Sequence, residues 1–97
     1  MSVYLIIAID VKDWEMYEKY IEGSGKALSP FKPKRISTDS NPIVYEGTQP
    51  ASKLAIIEFE SEEKFDEFYK SDAYQNVIKL RHDAAETKFA MLMRGSA

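Results

Sequence analysis

The chain has 97 residues, a net charge of −3, 44% hydrophobic and 30% charged side chains, a single histidine and no cysteine. That length supports one domain of two layers, and the missing cysteine excludes disulfides, thiol nucleophiles and thiolate metal sites. Interspersed charges without a basic stripe argue against nucleic acid as a partner, and no apolar run reaches the ~18 residues of a membrane span.

The first stretch, "MSVYLIIAID", lacks a basic leader and a small-residue cleavage site, so it is expected to be a strand from Val3 to Asp10 and not a signal peptide. A cysteine-free chain without a leader fits the cytoplasm. The following "DWEMYEKYIEGSGKAL" places Trp14, Tyr17 and Ile21 on one helical stripe, with Asp10 or Asp13 available as a cap; Gly23 and Gly25 are expected to end or kink this helix. The segment "KPKRISTDSNPIVYEGT" reads as an irregular edge ribbon, with one strand near Lys34 to Thr38 and an extended piece at Ile43 to Glu46 around the turn former Asn41-Pro42. "KLAIIEFE", from Lys53 to Glu60, is a strand. Ser61 then caps a helix with Glu62 and Glu63 in its first turn and Phe65, Phe68 and Tyr69 on its inner side. "KSD" interrupts it, and Asp72 with Gln75 forms a capping-box-like start to another helix. Thr87 to Gly95 completes the chain as a strand.

This βαββαβ order predicts an α+β, ferredoxin-like domain spanning residues 1–97, a four-stranded antiparallel sheet with its helices on one face. The strands carry apolar residues on both faces: Val3, Leu5, Ile7 and Ile9 against Tyr4, Ile6 and Ala8, or Phe89, Met91 and Met93 against Ala90 and Leu92. A half-solvated antiparallel sheet alternates apolar with polar instead. The simplest cover for the second face is a second copy, so a homodimer through the sheet face is expected.

One residue stands out in "YQNVIKLRHDAAE". Tyr74, Val77, Ile78 and Arg81 share one helix face, because seven residues return to within about 20° of the same direction. An arginine pointed at a core is costly unless paired, and its planar fork suits a carboxylate. The functional reading is an anchor for a small anionic or carbonyl-bearing ligand. The bland reading is that Arg81 snorkels to water or pairs internally with Glu58 or Glu46.

The stretches "DWEMYEKY", "VYEGT", "AIIEFES" and "FYKSDAYQNVIKLRHDAAE" resemble the small proteins grouped as domain of unknown function 1330, over nearly the whole chain. The resemblance implies a dimeric α/β barrel of ferredoxin-like topology and no established reaction. It places the family pattern on Asp13, Tyr17 and Tyr20, on Glu46-Gly47, on Glu58, and on Tyr69, Ser71, Tyr74, Gln75 and Arg81. Members usually have a Gly-Gly turn after the first helix, whereas this chain has Pro30, Phe31 and Pro33.

Glu58 lies in phase with Leu54 and Ile56 and is a candidate general base beside Arg81, against a plain ion pair or solvated strand end. Tyr17, Glu46, Tyr69, Tyr74 and Arg81 are the ligand-binding candidates, although core packing is the commoner role for most of the tyrosines. His82 sits at the helix flank without a catalytic partner, and the Met91/Met93 spacing is strand alternation. No cofactor or metal is expected. Two functions compete: a cofactor-independent small-molecule enzyme or binding protein, and a non-catalytic dimerisation or regulatory module with a filled core. An open cavity of ~300 Å³ or more favours the first.

Overall fold

A computed structural model describes residues 1–49 and 51–96. The order is β1 (Val3–Val11), α1 (Trp14–Leu28), a 3-10 turn (Ser29–Phe31), β2 (Lys34–Asp39), β3 (Lys53–Phe59), α2 (Glu62–Lys70), α3 (Asp72–Ala84) and β4 (Ala85–Arg94). The four strands form one antiparallel sheet in the order β2-β3-β1-β4, the ferredoxin-like arrangement.

Local chemistry sets the helix starts. Asp13 caps α1, its Oδ1 accepting from Met16 N–H at 3.0 Å, and Ser61 caps α2 by accepting from Lys64 N–H at 3.1 Å. The start of α3 differs from the expected Asp72 cap. Ser71 takes that place: its Oγ accepts from Tyr74 N–H at 3.2 Å and donates to Phe68 O at 2.6 Å, closing one helix while opening the next. Gln75 donates its side-chain N–H to Tyr69 O instead of completing a capping box.

Gly23 and Gly25 neither end nor kink α1, which runs on to Leu28. Gly23 is there for closeness: a Cβ on it would stand 2.5 Å from Val77 Cγ1 of α3, whereas a Cβ at Gly25 meets nothing within 4 Å. Valine is stiff at χ1 and cannot easily swing aside. Gly23→Ala should therefore lower unfolding free energy by about 1–3 kcal/mol through overpacking, with Val77→Ala restoring part of the loss. Gly25→Ala should raise stability by about 0.5–1 kcal/mol, the ordinary gain in a helix interior. Urea melts of the parent and the three variants measure both signs, and a stabilised Gly23→Ala variant would refute the close-packing role.

The expected extended piece at Ile43 to Glu46 is not a strand. Asn41 N–H turns to Asp39 Oδ1 at 2.8 Å, which ends the ladder, and Pro42 brings no N–H to resume it. Ile43 and Tyr45 stand out 85% and 93% exposed. A bulge between Arg35 and Ser37 also shifts the parity of β2. In α1 the buried stripe is Tyr17, Tyr20, Ser24 and Ala27; Trp14, expected inward, is 48% exposed because it occupies the first turn, beyond the sheet's cover.

All helices lie on one side. Val3, Ile7, Ile9 and Val11 of β1 and Phe59 of β3 join Tyr17, Tyr20, Phe68, Tyr74 and Ile78 in one core. The opposite face aligns Ile6 between Ile56 and Met91, and Tyr4 between Glu58 and Met93. Met91 and Met93 are 52% and 55% exposed there. The molecule is a slab 16 Å thick, one sheet and one helix layer, so the chain itself supplies nothing for that face.

Candidate functional site

Arg81 is delivered to the core by α3, one face of which carries Tyr74, Ile78 and Arg81 inward. Its residue surface is only 4% exposed. Nη1 donates to Tyr74 Oη at 2.9 Å and to Tyr20 Oη at 3.4 Å, and the two phenol oxygens are 2.7 Å apart. Nε is buried and has no hydrogen-bond partner. Among the described residues no carboxylate forms a salt bridge with Arg81. The pairing expected with Glu58 or Glu46 does not form. Strand parity puts Glu58 on the helix-free face between Tyr4 and Lys34, and Glu46 is exposed in the loop before β3.

The guanidinium and Tyr74 form a wall shared by two chambers. The first, about 100 Å³, lies under α1 and includes Tyr17, Tyr20, Ser24, Arg35 and Lys53 over Ile7, Ile9 and Ile57. The second, about 180 Å³, lies under α2 and α3 beside Phe65, Phe68, Tyr69 and Leu92. The structure thus brings Tyr17, Tyr74 and Arg81 together, sets Tyr69 at the rim of the second chamber, and leaves Glu46 and Glu58 outside both. His82 is exposed, as expected of a helix-flank residue.

The donor inventory decides what this site can hold. Two neutral phenols bonded to each other use one of their two O–H protons in that bond, which leaves the other free to donate. Arg81 contributes only donors, one of them unused. Among the described residues no carboxylate lines either chamber. The polar wall therefore offers protons and positive charge, the complement of an oxyanion or carbonyl oxygen.

Three groups complete the site without being among the expected ligand contacts. Tyr20 is three residues from Tyr17 on the same face, a signal present in helical spacing. Lys53 shares strand parity with Ala55 and Ile57, and its Nζ stands 4.7 Å from the Tyr17 ring centroid. Arg35 had no readable signal, because the bulge after it breaks alternation. Among the described residues no cluster of His, Cys, Asp and Glu is arranged to hold a metal ion.

Burial lifts the Tyr17 hydroxyl to about 12, helped by Tyr20 and opposed by Arg81. Burial likewise pushes Tyr74 strongly upward, again with Tyr20 adding and Arg81 opposing. For Arg81, burial works against the charge; Tyr74 and then Tyr20 raise its value through their ionised forms, so at neutral pH only hydrogen bonds to the phenols offset the burial. Burial, then Arg35, lowers Lys53. The raised phenols fix the sign of an alkaline effect. Below pH 10 they are neutral in both states; between 10 and about 12 an unfolded Tyr17 ionises while the folded one does not. Stability should fall there by up to about 1.4 kcal/mol per pH unit for each such phenol. Denaturation series at rising pH should show the slope, and Tyr17→Phe should flatten it; an unchanged slope would contradict the assignment.

The family model described as "Domain of unknown function (DUF1330)" matches residues 2–95. No functionally curated protein matches the chain. Among solved structures, a protein of unknown function from Rhodopseudomonas palustris is similar at 18% identity and TM-score 0.76, covering 95% of this chain and 78% of that one. SnoaB, a cofactor-independent oxygenase from Streptomyces nogalater, is similar at 9% identity and TM-score 0.70, covering 99% and 94%. A protein from Arabidopsis thaliana is similar at 15% identity and TM-score 0.73, covering 100% and 97%. At these identities the likeness is one of fold.

Proposed function

The chain belongs to the DUF1330 family, which carries a fold and no assigned reaction, and from its own pocket we propose that it is a single-domain, homodimeric protein binding a small anionic or carbonyl-bearing molecule between helices and sheet. One observation carries this reading: a buried guanidinium at the wall of two chambers, held by two phenols and in no salt bridge among the described residues. A lone buried cation is too costly to keep for packing alone, and an anionic ligand offsets the cost. The chambers are small, each fitting a compact ring or short chain.

The second copy belongs on the helix-free face, where Ile6, Ile56, Met91 and Met93 need cover. Cofactor-independent chemistry is also part of the proposal, with SnoaB as a parallel in fold alone. Arg81, the candidate catalytic group, would hold a carbonyl or carboxylate oxygen of the ligand, while Tyr17, Tyr69 and Tyr74 line it. Glu58 is too far round the sheet to act as its base. Among the described residues no helix is long and apolar enough to cross a membrane, and the cysteine-free composition supports a cytoplasmic location.

The chamber volumes favour a second reading, a non-catalytic dimerisation module, since neither approaches the ~300 Å³ usual for ligand pockets. Calorimetric titration with octanoate separates the two. Binding by the parent protein and its loss in Arg81→Met supports the ligand site; no binding, or equal binding in both proteins, supports the module.

A further inference from the structure

We infer that Arg35 and Lys53 form a second anion subsite at the mouth of the first chamber, so that the ligand is a dianion with an apolar middle. The inference rests on the ligand-binding reading above and names its substrate class. Three cations line the first chamber, Arg35, Lys53 and Arg81, and no carboxylate does. Neither Arg35 nor Lys53 belongs to an ion pair among the described residues. Surface cations are commonly solvated, but these two share one cavity wall with a third.

The chamber is graded from wet to dry. Arg35 and Thr38 on the edge strand are exposed, Lys53 is half-buried, and Arg81 is buried. Between the ends runs a row of aromatic faces. Lys53 Nζ is 4.7 Å from the Tyr17 centroid, the Tyr17 and Tyr20 centroids are 5.5 Å apart, and the Arg81 guanidinium is 5.7 Å from the Tyr20 centroid. The two cationic poles are thus linked through two successive rings, and Ile9, Ile21 and Leu28 line the same chamber. A molecule with one carboxylate meets the deep pole and leaves the outer one unmatched. A molecule with two, joined by an apolar span, satisfies both. Lys53 is lowered by burial first and then by Arg35, a like charge that an incoming anion would offset.

Octanoate and suberate have equal chain length and differ by one terminal carboxylate, so their affinity ratio reads the outer subsite alone. The parent protein should bind suberate about tenfold more tightly than octanoate, the scale of one added charge-assisted contact. Lys53→Gln with Arg35→Gln should bring the ratio to about one, and Arg35→Gln alone, at an exposed position, should lower it part way. Raised salt should shrink the ratio in the parent and leave it unchanged in the double variant. A parent that binds octanoate through Arg81 without preferring suberate overturns the second subsite and leaves the pocket reading intact. A suberate preference that survives the double variant also overturns it. If neither acid binds the parent, both readings fall.

Discussion

Arg81→Met should produce a protein more stable than the parent by about 1–4 kcal/mol and unable to bind small carboxylates. The reasoning starts from what Arg81 lacks. Arg81 is 4% exposed as a residue, its Nε has no partner, and no acid among the described residues neutralises it. Desolvating a cation costs several kcal/mol, and of its two hydrogen bonds to neutral hydroxyls only the 2.9 Å one is short enough to return the full ~1.5–3, the other being 3.4 Å. Methionine keeps the volume of the stem, so no large cavity opens. The phenols are not orphaned either, because Tyr20 and Tyr74 remain bonded to each other at 2.7 Å. A residue that lowers stability at a cavity wall is what a binding site requires. Urea melts measure the stability, and titration with octanoate measures the binding. A variant destabilised by more than about 1 kcal/mol would make Arg81 a structural bridge between the two tyrosines, within the usual worth of such bonds.

Ile6→Asp should abolish self-association. Ile6 lies on a central strand of the helix-free face, directly between Ile56 and Met91, and a two-fold axis would bring the substitution in twice. Burying two aspartates against apolar strands costs at least about 4 kcal/mol, a thousandfold or more in the dissociation constant. Sedimentation equilibrium of the parent at micromolar concentration should give twice the chain mass. The variant should sediment as a monomer and melt earlier, since it exposes Ile56, Met91 and Met93 to water. A parent that is a well-folded monomer would refute the sheet-on-sheet dimer outright.

The sequence by itself determined the element types and most of their ends. Helical spacing delivered Arg81, Tyr74 and Tyr17 to the interior, and strand composition gave the four strands, because these periods depend on neighbours a few residues away. Caps were legible to within one residue, Ser71 replacing Asp72 because it can serve two helices at once. The glycines misled, because a helix tolerates them wherever another helix must come close, as Val77 does at Gly23.

Tertiary structure alone decided which groups meet. Tyr20 and Arg81 are 61 positions apart, and Tyr20 and Tyr74 are 54 apart, so no local period relates them. It also decided the place of Glu58. Alternation correctly grouped Glu58 with Leu54 and Ile56, but both sheet faces are apolar, so alternation could not tell which one the helices cover. That choice follows from how α1 and α3 cross back over the sheet, and it turned Glu58 away from Arg81 while turning Lys53 toward it.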